Sequence, residues 1–335
     1  MSASELVRVE GVSKRFTKSL DLAAKIANRF GAKNREVTVH AVDQVDLSIS
    51  DGEVVALVGE SGCGKSTLGR VVAGIHDASA GKVFWKGEDV STHSDAARKD
   101  FVLGAQMIFQ DPMSSLNPRI RAGEIVGEAA RVHGMTDKAG QRDYVSSLFK
   151  RVGLDPDYVR RYPHQFSGGQ RARIGIARAL AVNPKLLICD ESVAALDVSI
   201  QAQVLNLFMD LREDLGLAYL FISHDLGVVR HISDRILIMY LGRVIESGPT
   251  RAIFEDPIHP YTKALLDNVP KLEAKKRSFA TIKGEIPSPI NPPPGCHFHP
   301  RCPVAGPRCS REKPKETIVA GGRMAACHLL DGGVV

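Results

Sequence analysis

The sequence predicts an α/β fold, with a largely parallel sheet wrapped by helices, a helical insertion in its middle and a loop-rich C-terminal extension. Three observations carry that expectation. Continuous apolar runs at Val54–Val58, 186–189 and 219–222 read as strands buried on both faces. Helical patterns separate these runs, and strands alternating with helices imply a parallel sheet. Nine prolines between residues 284 and 314 are too many for regular structure, so the region after about Glu255 reads as a separate appendage.

The elements follow in order. Residues 5–16 read as a strand and its exit, with Leu6, Val7 and Val9 before Val12 and Phe16. A basic amphipathic stretch interrupts it, with Lys18, Lys25, Arg29, Lys33 and Arg35 among Leu22, Ile26 and Phe30. That stretch reads as a solvated helical face or as a contact for anionic lipid headgroups. Val45, Leu47 and Ile49 then alternate on one face of a second strand. After the buried run Val54–Val58 a helix starts near Lys65 and stops at Gly74, where glycine relieves a left-handed end. Residues 107–109 form a short strand ended by Gln110, and residues 111–165 are helical in pattern. A further helix runs over 171–181. Residues 236–245 read as a hairpin turning at Leu241-Gly242.

Composition narrows the class. The chain has 335 residues, 44% hydrophobic and 24% charged, which suggests two or three domains at most and excludes a disordered, collagen-like or disulfide-stapled chain. A formal charge of +6 is ordinary for solubility and points to no particular partner. No run approaches the ~20 apolar residues of a membrane-spanning helix. Residues 1–10 carry no secretory signal, so a cytosolic chain is expected.

Gly59-Glu60-Ser61-Gly62-Cys63-Gly64-Lys65-Ser66 fits G-x-x-x-x-G-K-[ST] between a buried strand and a helix, the context that a phosphate-binding loop demands. Glycines let the backbone wrap a phosphate with its N–H groups turned inward, and the helix N-terminus adds partial positive charge. Lys65 is placed to reach the β- and γ-phosphates and Ser66 to hold Mg²⁺. The run at 186–189 delivers Asp190 and Glu191 at a strand's carboxyl end, where open α/β sheets bind ligands. Asp190 suits the magnesium and Glu191 suits a general base for attacking water. Ser167-Gly168-Gly169-Gln170 precedes the helix at 171–181 and forms a second candidate anion site.

Gln110, the 167–170 tetrapeptide, Asp190-Glu191, Asp197 after Ala195-Leu196, and His224 after the 219–222 strand stand in one order behind the phosphate loop. This order closely resembles the nucleotide-binding subunits of ABC transporters over residues 5–250. The resemblance implies a phosphate-loop NTPase core with a mainly parallel sheet, an antiparallel N-terminal β portion and a helical subdomain at about 111–180, all within residues 1–254. It also implies ATP hydrolysis with Mg²⁺. Nucleotide contacts are implied for Phe16 (stacked on adenine), Gly59, Ser61, Gly62, Cys63, Gly64, Lys65, Ser66, Thr67, Ser167, Gly168, Gly169, Gln170 and Asp197. Metal contacts are implied for Ser66, Gln110 and Asp190. Glu191, His224 and Gln110 would act in hydrolysis, with Gln110 also reporting γ-phosphate and metal occupancy to a membrane partner. The signature of one subunit would close over the nucleotide of another, so a second ATPase subunit is implied. Phe166, Ser192 and Ala194 depart from frequent residues of the pattern, and none removes a phosphate, metal or base group.

Phe109-Gln110-Asp111-Pro112, Ser115-Leu116-Asn117-Pro118-Arg119, the stretch 195–207 and His259-Pro260-Tyr261-Thr262 with Ala264-Leu265-Leu266 are similar to the dipeptide and oligopeptide importer branch. So is the proline-rich, cysteine-bearing segment within 255–335. That likeness implies two transmembrane permease subunits, an extracytoplasmic solute-binding protein acting indirectly, and a peripheral place on the cytoplasmic face of the cell membrane. Nickel and glutathione importers share this branch. A soluble ABC ATPase acting on nucleic acid or ribosomes is the rival reading, but a single cassette without sustained heptads argues against a nucleic-acid partner.

Cys296, Cys302 and Cys309 are separated by five and six residues, and Cys327 follows after seventeen more. Clustered thiols in a reducing compartment favour a metal centre, whose ligand bonds supply what burial cannot. Zinc sites usually pair cysteines two to four residues apart, whereas an iron–sulfur cluster tolerates wider loops. Likeness to peptide-importer ATPases favours a [4Fe–4S] cluster, with zinc as the alternative. His297, His299 and His328 read as neighbours rather than ligands. Cys63 and Cys189 read as packing residues.

Overall fold

The computed structural model describes residues 4–21, 28–30, 35–111, 115–267 and 284–332. Leu22, Lys25, Ile26 and Lys33 of the basic stretch, and Pro112, lie outside the described residues.

β1 (Glu5–Lys18) and β2 (Val37–Ser50) are long antiparallel partners, both extending beyond the segments expected from the sequence. β3 (Val54–Val58) leads into the phosphate loop and α1 (Lys65–Val72). β4 (Ala80–Trp85) and β5 (Glu88–Asp89) complete a four-stranded sheet of order β2-β1-β4-β5. α2 (Asp95–Gly104) precedes β6 (Ala105–Ile108), which starts two residues before the expected strand. α3 (Ala122–Val132), α4 (Gln141–Arg151) and α5 (Gly168–Leu180) fill the helical stretch. β7 (Leu186–Asp190), α6 (Val198–Leu215), β8 (Ala218–Ser223), α7 (Leu226–Ile232) and the hairpin β9 (Arg235–Tyr240) and β10 (Arg243–Pro249) follow. The hairpin turns at Leu241 and Gly242, both at positive φ, as a tight two-residue connection requires.

The larger sheet, which includes β11 (Glu316–Val319) and β12 (Arg323–Ala326), has the order β11-β12-β10-β9-β3-β8-β7-β6 and is parallel from β9 to β6. All five residues of β3 are buried. Its alternating side chains feed different layers. Val55 and Leu57 pack with α1 and the inner faces of β1 and β2, while Ala56 and Val58 pack towards Tyr240, Tyr261 and Phe298. The opposite cluster joins β7 and β8 to α3, α4, α5 and α6 through Leu187, Phe149, Ile174 and Phe208. A strand buried on both faces cannot alternate in polarity, and this explains the unbroken apolar runs.

The C-terminal extension corrects one expectation. α8 (Thr250–Glu255) and α9 (Pro260–Asp267) are followed by single turns, then by β11 (Glu316–Val319) and β12 (Arg323–Ala326). β12 pairs antiparallel with β10 through Glu246 and Ser247, so the extension continues the core sheet and is not a detached appendage. The prolines interrupt regular structure locally, but they lie ahead of the two strands that dock. A second correction concerns α5, which begins at Gly168, three residues earlier than expected, with Ser167 as its cap.

Candidate active site

The phosphate loop is shaped by its neighbours. Gly64 sits at φ +107°, and a Cβ there would lie 2.0 Å from the Ala41 carbonyl oxygen, so only glycine fits. No side chain caps α1, which leaves its first-turn N–H groups to an anionic ligand. Lys65 is buried, and its Nζ donates to the carbonyls of Gly59 at 2.7 Å and Glu60 at 3.0 Å. Ser61 and Gly62 are exposed at the loop's rim, and Thr67 is half-buried in the first turn of α1. Cys63 is buried beneath the loop, where desolvation pushes its thiol pKa up.

Two residues distant in sequence meet beside the loop. Ser66 Oγ donates to Asp190 Oδ1 at 2.7 Å. Burial raises the Asp190 carboxyl, opposed by the Ser66 hydroxyl and by Arg70 and Lys65, while the neighbouring Glu191 pushes it further up. A buried carboxylate beside a hydroxyl is a hard oxygen donor set of the kind magnesium takes.

Glu191 is the convergence point. Gln110 Nε2 donates to its Oε2 at 2.7 Å, and His224 Nδ1 lies 3.4 Å from its Oε1. The residue adopts φ +47°, a left-handed conformation that is costly for a side chain with a Cβ. Its N–H donates to the Ile222 carbonyl and its carbonyl accepts from Ala194, and these bonds hold the turn. Three of the expected hydrolytic residues, from three strand ends, therefore share one carboxylate.

The Ser167–Gln170 tetrapeptide lies beside the segment after Glu191, with Leu196 next to Gly168 and Ile200 next to Gly169. Ser167 Oγ accepts from the Gln170 N–H at 3.3 Å and Gln170 Oε1 accepts from the Ser167 N–H at 3.0 Å, a reciprocal cap. A Cβ on Gly169 would come within 2.4 Å of Ile200, so glycine lets α5 approach the start of α6. Ser167 and Gly168 are exposed and Gly169 is half-buried; Asp197 is exposed too and precedes α6 without a capping bond from its side chain. Phe16, near the end of β1, is partly exposed and makes an edge contact with His76 at 5.6 Å.

The four C-terminal thiols converge. Cys296, Cys302, Cys309 and Cys327 line one cavity of about 260 Å³ together with His299 and His328, and none is in a disulfide. Burial is the main cause that raises Cys296, to about 11, and lifts Cys302 and Cys327 as well, and the nearby thiols reinforce it. Among the described residues, no group of three or more His, Cys, Asp or Glu side chains is arranged to hold a metal ion, so the geometry of the thiols does not itself show a metal centre of either kind. The histidines are engaged elsewhere: His297 Nδ1 with the Leu241 carbonyl, His299 Nδ1 with the Cys296 carbonyl, and His328 Nε2 with the Glu312 carbonyl.

Sequence reasoning missed Arg301 and Tyr261, which reach the phosphate loop from the extension. Arg301 donates through both Nη atoms to the Glu60 carboxylate, and Tyr261 Oη accepts from the Glu60 N–H. No local pattern signals a contact spanning 241 residues.

A parallel sheet with an uncapped phosphate loop, a Ser66–Asp190 pair and a carboxylate at the next residue defines a nucleotide-hydrolysing cassette. The ABC transporter family matches residues 42–194, and the C-terminal region of oligopeptide/dipeptide transporters matches residues 245–309. The oligopeptide transport ATP-binding protein AppF of Bacillus subtilis is 50% identical over 90% of this chain and 93% of its own length. OppF of Salmonella typhimurium, an oligopeptide transport ATP-binding protein, is 51% identical over 83% of this chain and 84% of its own. Among solved structures, the dimeric ATP-binding cassette MJ0796 in a post-hydrolysis state with ADP and Pi superposes with a TM-score of 0.62 at 26% identity, covering 73% of this chain and 99% of that one. The chain belongs to the ATP-binding subunits of ABC transporters, in the oligopeptide/dipeptide branch. It is an ATPase.

Proposed function

We propose that this ATPase drives uptake of di- and oligopeptides through separate transmembrane permease subunits, paired with a second ATP-binding cassette. The observation that carries the peptide reading is the match of residues 245–309 to the C-terminal region of oligopeptide/dipeptide transporters, and the hydrolytic half rests on the convergence of Gln110 and His224 on Glu191, one residue beyond the Asp190 that bonds Ser66. Main-chain amides of the loop and Lys65 take the triphosphate, and Phe16 offers a ring to the adenine. Ser66 and Asp190 would hold magnesium, with Gln110 alongside, and the ion screens phosphate charge when bound. Glu191 aligns and deprotonates the attacking water, while His224 steadies the carboxylate and reaches towards the γ-phosphate. The exposed Ser167 and Gly168, with Asp197, suit closure over the nucleotide of the partner cassette.

No helix among the described residues is long and apolar enough to cross a membrane, which fits a peripheral place beneath permease subunits at the cytoplasmic face. A solute-binding protein would deliver peptide from the other side. The test is uptake of labelled oligopeptides into vesicles carrying the complete complex. ATP should drive accumulation and ADP should not. ATP-driven uptake of nickel or glutathione with no uptake of peptide would overturn the assignment.

We propose a [4Fe–4S] cluster for the cavity lined by Cys296, Cys302, Cys309 and Cys327, because four free thiols of soft sulfur line one space and their sequence spacing is wider than that of paired zinc cysteines. Such a cluster, when bound, supplies cross-links that hold a proline-rich segment with little core of its own. Cys302→Ser is expected to abolish the broad visible absorbance of anaerobically purified protein. A colourless wild-type protein containing zinc would contradict the cluster.

A further inference from the structure

The phosphate loop is gripped from both sides, and the outer grip comes from the C-terminal extension. On the inner side Lys65 bonds the Gly59 and Glu60 carbonyls. On the outer side Arg301 Nη1 and Nη2 donate to the two oxygens of Glu60 at 2.6 and 2.9 Å, and Tyr261 Oη accepts from the Glu60 N–H at 2.9 Å. The Arg301 side chain is only 5% exposed and Glu60 23%, so water screens the pair weakly. Behind them, Phe298 packs edge-on against Tyr240 at 5.2 Å and Tyr261 at 5.3 Å, and its carbonyl accepts from the Arg301 N–H. The guanidinium therefore projects from a braced turn.

We propose that Arg301 is a positioning residue for the phosphate loop, which it serves by holding Glu60 and cancelling its charge beside the triphosphate. This inference rests on the assignment of the loop as the ATP site. Two physical effects support it. When the Lys65 ammonium turns to phosphate oxygens it releases two loop carbonyls, and the loop then keeps its shape through its remaining anchors. Amides already aimed at the ligand bind it with less ordering cost. In addition, Glu60 is a fixed anion within the loop that receives a polyanion. The bidentate guanidinium is the group that neutralises it, and a lysine would hold only one oxygen firmly.

The test compares full-length wild-type protein with Arg301→Gln, Arg301→Lys and the double variant Glu60→Gln/Arg301→Gln, each assembled in the complex. Affinity for Mg-ATP, and KM and kcat for hydrolysis, are measured. Arg301→Gln should weaken binding and raise KM about tenfold with kcat reduced by less than about twofold, because a ground-state binding effect falls on KM. The double variant should recover most of the affinity, since the loop then carries no unpaired carboxylate. Arg301→Lys should fall between, and it serves if the glutamine variant does not fold. A lower melting temperature with unchanged KM would overturn the proposal, as would a double variant no better than Arg301→Gln. Wild-type protein that binds no nucleotide would instead overturn the ATP-site assignment itself, and this inference with it.

Discussion

Glu191→Gln is expected to reduce steady-state ATP hydrolysis by about 10²–10⁴-fold, the range a positioned general base contributes, while nucleotide affinity is retained. Glutamine preserves the size of the side chain and can still bond Gln110 and His224, which lie 2.7 and 3.4 Å from the carboxylate oxygens. It loses the capacity to accept a proton from water. The backbone there, at φ +47°, is held by the Ile222 and Ala194 hydrogen bonds, and these do not depend on the side chain. The variant should therefore fold and bind ATP without turning it over. Phosphate release from the assembled complex, alongside equilibrium binding of Mg-ATP, makes the comparison. Turnover at the wild-type rate would remove Glu191 from the role of base.

Lys65→Ala should act earlier, at binding. A charge-assisted hydrogen bond to an anion is worth about 1.5–3 kcal/mol, so losing the ammonium should weaken Mg-ATP by roughly 10- to 150-fold. The side chain also bonds two loop carbonyls; in the variant the Gly59 carbonyl loses this bond, while the Glu60 carbonyl keeps the Cys63 N–H at 3.3 Å. Some thermal stability should therefore go even without nucleotide, because an unpaired buried carbonyl costs about 1–3 kcal/mol. Thermal unfolding with and without Mg-ATP separates the two effects. Wild-type protein should gain stability with saturating nucleotide, by about 2.7 kcal/mol at a hundredfold excess over Kd. The variant should gain little, and a full nucleotide-induced gain in Lys65→Ala would count against the loop as the triphosphate site.

The parts of the fold legible in the sequence are those whose physics is local. Val54–Val58 reads as a buried strand because all five residues are apolar, and they are buried in the middle of the sheet. The phosphate loop is legible because its glycines and lysine are contiguous. Ser167 and Gln170 are only partly legible: the tetrapeptide reads as an anion site ahead of a helix, but the helix begins within it because Gly168 and Gly169 form its first turn. The Ser66–Asp190 and Gln110–Glu191 contacts span 124 and 81 residues, so spacing alone does not reveal them; the loop motif and the strand end point to Ser66, Asp190 and Glu191 separately, and the family resemblance adds Gln110. β12 was not read as a strand. Arg323-Met324-Ala325-Ala326 has no β-branched residue, and its pairing with Glu246 and Ser247 is a tertiary choice. Arg301 was invisible as a loop contact for the same reason. Its chemistry belongs to a residue 241 positions away.

Assigning the loop as the ATP site puts a triphosphate on the main-chain amides of residues 61–66 with its metal between Ser66 and Asp190. A crystal structure of the Glu191→Gln protein with Mg-ATP tests this most directly. The account predicts phosphate oxygens against those amides and against Lys65 Nζ, with magnesium on the Ser66 hydroxyl. Nucleotide bound elsewhere, with Lys65 still engaged by the Gly59 and Glu60 carbonyls, would contradict it.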